Sequence, residues 1–183
     1  MKIKQIYARE ILNSKGYPTV EAIVVLDNGI QAIASCPTGT SVGKYEAKQS
    51  RDNDSNRFGG YGVLKAVNNV MNVIAPKLIG LDVQNQHDID KLMIELDGTP
   101  EKTNLGANSI LAVSMAVAKA AALSLNMPLF SYIRHYTSIQ KSPFKIPTPA
   151  FNILNGGKHA GNNLDFQEFL IIPASSIPYQ NSL

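Results

Sequence analysis

Residues Asn155-Gly156-Gly157-Lys158-His159-Ala160-Gly161-Asn162-Asn163-Leu164-Asp165-Phe166-Gln167-Glu168-Phe169 form a polar, glycine-rich stretch between two apolar runs. Imidazole can donate to an anion, and a carboxylate can take or return a proton. His159 is surrounded by glycines, with Gln167 and Glu168 one short strand away. This is where acid–base chemistry would sit. A lone histidine is more often surface or core, which is the reading for His87 and His135.

Two other stretches compete for a functional account. Cys36-Pro37-Thr38-Gly39-Thr40-Ser41-Val42-Gly43-Lys44-Tyr45-Glu46-Ala47 follows a strand pattern and places small hydroxyl residues between two glycines. It reads as a mobile cover or a loop of oxygen ligands, or more plainly as a flexible turn. Arg57-Phe58-Gly59-Gly60-Tyr61-Gly62 invites a phosphate-loop reading. It lacks the Gly-Lys-Ser/Thr ending and the strand–Gly-x-Gly-x-x-Gly–helix context, so a turn into the next helix fits better.

The elements that must position these residues are legible from periodicity. Thr19 to Leu26 alternates, Asp27-Asn28-Gly29 tolerates positive φ, and Ile30, Ala32, Ala34 and Cys36 resume the period of two, which predicts a hairpin. Ile3 to Leu12 is a weaker third strand. Val63, Ala66, Val67, Val70, Met71 and Ile74 predict a helix that Pro76 ends. Ile89, Leu92, Met93 and Leu96 predict a shorter one stopping before Asp97-Gly98. Asn104 is a candidate cap for the apolar helix that follows, which ends at Met127-Pro128, and Leu129 to Tyr136 adds a short helix. Ala150 to Leu154 and Phe169 to Ile172 read as two buried strands flanking the His159 loop. The fold class is α+β. Residues 1–136 form one domain, 137–149 a linker carrying Pro143, Pro147 and Pro149, and 150–183 the opening of a second domain.

Composition narrows the function classes. The 183 residues carry a net charge of +3, with 44% hydrophobic and 17% charged residues, as in an ordinary globular protein. No Lys/Arg cluster of the kind that grips phosphate backbones appears, so nucleic acid is not an expected partner. Cys36 is the only cysteine, which excludes an internal disulfide and fits a reducing cytoplasm. The start has no apolar signal core. Leu105 to Leu125 is broken by Ser109, Ser114, Lys119 and Ser124 and reads as a core helix, so no membrane partner is expected.

Taken together, the chain resembles the amino-terminal part of the enolase (phosphopyruvate hydratase) family. The likeness runs through Glu10-Ile11-Leu12-Asn13-Ser14-Lys15-Gly16-Tyr17-Pro18-Thr19-Val20-Glu21, Arg51-Asp52, and Gly62-Val63-Leu64-Lys65-Ala66-Val67. It continues in Leu96-Asp97-Gly98-Thr99-Pro100, Asn104-Leu105-Gly106-Ala107-Asn108 and Ala116-Val117-Ala118-Lys119-Ala120. Asn152-Ile153-Leu154-Asn155-Gly156-Gly157 and Gln167-Glu168-Phe169 complete it. So many ordered matches are more specific than any one motif.

The resemblance implies an antiparallel sheet followed by helices, packed against a TIM-like (β/α) barrel of which only the first strands are in hand. It implies a Mg²⁺-dependent lyase of glycolysis that dehydrates 2-phosphoglycerate to phosphoenolpyruvate, acting as a homo-oligomer, a dimer or higher. Enzymes of this superfamily stabilise an ene-diolate with one or two Mg²⁺. Carried over by position, Ser41 matches the lid serine that binds the second magnesium. His159 and Gln167 match substrate contacts, and Glu168 matches a catalytic and substrate-binding carboxylate on the acid side of the elimination. Asn13, Lys15 and Tyr17 depart from the family's usual Asp, Arg and Asn, and Thr38, Thr40 and Val42 from Ser, Ala and Thr. Lysine lacks the planar fork of arginine, and Lys158 adds a charge beside His159.

A (β/α)₈ barrel takes about 250 residues, against the 41 from Pro143 onward. The expectation is a partial sequence of a longer enzyme, inactive alone, rather than a disrupted gene product or a genuine short protein. Two further classes stay open: a non-catalytic enolase-like scaffold or binding module, and a nucleotide- or phosphate-binding module built on the glycine-rich stretches.

Overall fold

A computed structural model describes residues 1–39, 42–137, 143–157, 160–161 and 163–183. The chain divides into two compact units, Met1–Gln140 and Lys141–Leu183.

In the first unit, strands β1 (Ile3–Leu12), β2 (Pro18–Leu26) and β3 (Gln31–Ser35) form an antiparallel sheet in that order. The period-two pattern does what it dictates. Val20, Ala22, Val24 and Leu26 are fully buried on one face, joined there by Ala32 and Ala34. Gly29, at φ 89°, makes the turn between β2 and β3. On the other face the register puts Tyr7, Ile23 and Ile33 in one row and Arg9, Glu21 and Ser35 in the next.

Helix α4 (Ala107–Ser124) crosses the inner face, against β2 and β3. Its buried stripe is almost all small: Ala112, Val113, Ala116, Val117, Ala120 and Ala121. Short side chains let a helix lie close to a sheet without voids. α4 is also long and apolar enough by composition to cross a membrane, yet half of it is buried inside the protein, as in a core helix. Helices α3 (Gln86–Asp97) and α5 (Leu129–Tyr136) flank it.

Two helical expectations change. The Val63–Ile74 pattern becomes α1 (Leu64–Asn69), a π turn (Val70–Ile74) and α2 (Ala75–Leu78), so Pro76 does not end the run. The Ala75 N–H reaches back five residues to the Val70 carbonyl. The missing donor of Pro76 thus falls where the four-residue ladder is already interrupted. Asn104 does not cap α4, which starts after Gly106 at φ 92° without a side-chain cap. Asn104 is instead drawn to Asp97: its Nδ2 donates to the Asp97 carbonyl at 2.7 Å and its N–H to the carboxylate at 3.1 Å.

The second unit holds strands β4 (Phe151–Asn155) and β5 (Glu168–Ile171), an antiparallel pair with an irregularity between Asn152 and Leu154, and a short helix α6 (Tyr179–Ser182). Their apolar runs are of the kind that a sheet buries, yet the residues from about Pro143 onward supply too few sheet partners to bury them. Ile153, Leu154, Phe169, Leu170 and Ile171 are all exposed. Each strand pairs only with the other among the described residues, so neither finds a further sheet partner.

Candidate functional site

The glycine-rich loop closes on itself across the β4–β5 pair. The Gly156 N–H donates to the Gln167 carbonyl at 3.0 Å, and the Gly157 N–H to the Leu164 carbonyl at 2.8 Å. Both glycines are required by geometry. A Cβ on Gly156 would lie 2.3 Å from the Phe166 carbonyl oxygen, and Gly157 sits at φ 76°. Phe166 and Phe169 meet edge to face, ring centres 6.0 Å apart. Gln167 and Glu168 stand at the base of the loop where β5 begins, both exposed. An exposed carboxylate there can exchange a proton with a ligand, and an exposed amide can accept or donate hydrogen bonds. His159 and Lys158, between the two ends, lie outside the described residues, as does Ser41.

The segment containing Ser41 is anchored firmly at both stems. On one side, the Cys36 N–H donates to the Val20 carbonyl at 2.8 Å, and the Thr19 hydroxyl donates to the Cys36 carbonyl at 2.6 Å. Burial pushes the Cys36 thiol up to about 11. On the other side, the Lys48 N–H donates to the Glu101 carbonyl and the Lys48 carbonyl accepts from Ala107, both at 2.7 Å. Asn108 closes the anchor, accepting from the Ser50 N–H at 2.9 Å and donating to the Ser50 carbonyl at 3.0 Å.

Thr38, Gly39, Val42, Glu46 and Ala47 line a cavity of about 530 Å³ together with Asn13, Lys15, Tyr17, Lys48, Arg51 and Tyr61. Asn13, Lys15, Tyr17, Thr38 and Val42 all line it. Arg51 is the residue that the sequence did not single out by role. Its guanidinium donates to the carbonyls of Pro18 and Tyr61 at 3.0 and 2.9 Å and to Gln49 at 2.6 Å. Burial lowers its pKa from the ordinary arginine value. Only the pairing with Asp52 in sequence marked it.

Two carboxylates organise the rest of this unit. Glu10 pairs with Arg57 through both oxygens and accepts the Val63 N–H at 2.7 Å, and the Arg57 hydrogen bond holds its carboxyl below the usual range. Asp52 accepts the N–H groups of Leu64 and Lys65 at 3.1 and 2.8 Å, capping α1 from a distance. A Cβ at Gly62 would stand 2.3 Å from an Asp52 carboxylate oxygen, so any larger residue there must displace Asp52.

Mg²⁺ takes oxygen ligands, mostly carboxylates. Among the described residues no three His, Cys, Asp or Glu side chains converge. Glu168 and Gln167 offer oxygens but do not make a cage by themselves.

Two family models match the chain in order: the enolase N-terminal domain over residues 3–133, and the enolase C-terminal TIM barrel domain over residues 143–183. The enolase of Ehrlichia canis (strain Jake) is 51% identical over 181 residues, 99% of this chain and 42% of its own length. That of Anaplasma phagocytophilum (strain HZ) is 51% identical over 182 residues, and that of Methanosarcina acetivorans 55% identical over 182, each match covering 100% of this chain and 41% of the relative. The chain thus spans about two fifths of the length of these relatives. With one family model covering most of its residues and half of them identical to those of known enolases, this chain belongs to the enolase family.

Proposed function

We propose that residues 1–183 form the amino-terminal domain and first barrel strands of a phosphopyruvate hydratase, a Mg²⁺-dependent hydro-lyase that interconverts 2-phosphoglycerate and phosphoenolpyruvate in the cytoplasm. The observation that carries this is the ordered match of both enolase domains at about half identity along the whole chain. In that reaction the C2–H bond breaks, its electron pair collects on the neighbouring carboxylate, and the C3 hydroxyl leaves as water after taking a proton. Charge accumulates on a group that is already anionic, so positioned donors and a divalent cation must stabilise it when bound.

Within this chain, Glu168 is the carboxylate that supports proton delivery to the departing hydroxyl. Gln167 and His159 contact the substrate, and Ser41 serves the metal as the lid descends. The anchored stems at Cys36 and Lys48 fit a segment that moves between fixed ends. The row Tyr7, Ile23 and Ile33 on the outer face of the sheet supports a homo-oligomer.

Residues 1–183 as an isolated polypeptide are expected not to turn over 2-phosphoglycerate, since a (β/α)₈ barrel takes about 250 residues and 41 follow from Pro143 onward. The decisive experiment grafts residues 1–183 in place of the matching part of Methanosarcina acetivorans enolase. The chimera is expected to form phosphoenolpyruvate, with Glu168→Gln lowering kcat at least about a hundredfold. A folded chimera without turnover, or an E168Q chimera at full rate, refutes the assignment.

A further inference from the structure

Helix α3 begins with a side chain that joins two helices and keeps one buried atom unmatched. The Gln86 Nε2 donates to Asp90 Oδ1 at 3.0 Å, one turn along α3, and to the Ser114 carbonyl on α4 at 3.1 Å. An amide nitrogen carries two hydrogens, so both are engaged, one of them shared with the Ser114 hydroxyl oxygen at 3.1 Å. The Gln86 Oε1 is buried with no hydrogen-bond partner among the described residues. Exchanging the two ends of the amide does not help, because its oxygen would then face the Asp90 carboxylate and the Ser114 carbonyl. The Tyr132 hydroxyl on α5 is buried and unpartnered in the same way. Gln86 and Tyr132 are only 5% and 3% exposed. Burial, then the nearby Tyr136, Asp90 and Asp82, push the Tyr132 hydroxyl above its usual pKa. Asp90 thus stands close to both unmatched atoms.

We propose that a single internal water binds here, accepting from the Tyr132 hydroxyl and donating to Gln86 Oε1, and so ties α5 to the start of α3. Buried waters hold about three hydrogen bonds, and the Asp90 carboxylate is the third partner. A phenol and an amide oxygen left bare in the core each cost stability, and one molecule satisfies both. The ligand must donate as well as accept. An anion would meet the Gln86 oxygen and the Asp90 charge, and a cation would leave the phenol hydrogen without an acceptor. The site uses none of Ser41, His159, Gln167 or Glu168, so it stands independently of the reaction proposed above.

The test compares residues 1–183 with two conservative variants. Tyr132→Phe keeps the ring and removes only the hydroxyl. Losing a hydroxyl bonded to held water should lower the folding equilibrium constant from urea unfolding about fivefold, whereas removing an unpaired one is neutral or stabilising. Gln86→Met removes the amide. Oxygen-17 relaxation dispersion of the solvent counts waters held for longer than the protein tumbles, and the double variant should hold one fewer than the parent. The two stability losses should also sum to more than the double variant's loss, because both remove the same water. Unchanged or increased stability in Tyr132→Phe, an unchanged count of held waters in a folded double variant, or additive losses overturn the proposal. Tyr132→Phe decides the matter by itself if the double variant does not fold.

Discussion

At the scale of single residues, buried acids do more for this fold than their number suggests. Asp97 is almost wholly buried, and burial by itself opposes its charge. The opposing set wins: the Leu105 N–H at 2.7 Å, the Thr99 hydroxyl and N–H, and the Asn104 N–H hold its carboxyl below the usual range. Asp97→Ala should therefore cost about 3 kcal/mol in urea unfolding, because several donors lose their acceptor at once. Asp97 and Glu10 are both depressed in the folded state, so they stabilise it above the unfolded carboxylate value near 4. That stability is lost as pH falls through their folded values. The urea midpoint should drop below about pH 4, and Asp97→Asn should flatten this acid limb. Cys36, buried and raised to about 11, should react with a thiol reagent at pH 8 only as fast as the protein opens, and promptly in urea.

At the scale of elements, periodicity located helices and strands, while their joints came from contacts distant in sequence. The π turn at Val70–Ile74 keeps Val70, Ile74 and Leu78 buried through a proline that would otherwise stop the helix. Capping of α1 falls to Asp52, twelve residues before Leu64, which no local signature reveals. The β4–β5 connection depends on close backbone approach. Gly156→Ala would press a methyl group on the Phe166 carbonyl, so the loop must open. Hydrogen exchange should show faster exchange at Gly156 and Gly157 than in the parent chain, with the first unit's amides unchanged. Unaltered protection in G156A would mean the loop is not held as described.

At the scale of the whole molecule, the two units differ in how well they are buried. The first has a continuous core from Ile3 to Tyr132, with α4 against the sheet. The second exposes Phe144, Ile146, Ile153, Phe169, Leu170 and Ile172. A lone two-stranded pair is marginal in water. Amides of β2 and α4 should thus exchange with the global unfolding of the first unit, and those of Phe169 to Ile171 within seconds to minutes. Slow exchange at β5 in residues 1–183 would show that something covers it.

Alternation from Thr19 to Leu26, the Asp27-Asn28-Gly29 turn and the stripe ending at Asp97-Gly98 were legible in the sequence. Each is local, set by side chains repeating at the period of the backbone they cover. The ordered motifs likewise marked the family and nominated Ser41, His159, Gln167 and Glu168. Only the tertiary structure decided that Arg51, Lys15, Lys48 and Tyr61 share one cavity, and that Asp52 and Asp97 gather donors from other segments. Those outcomes depend on which distant groups meet, because burial and charge pairing are properties of the packed chain that no run of neighbouring residues carries.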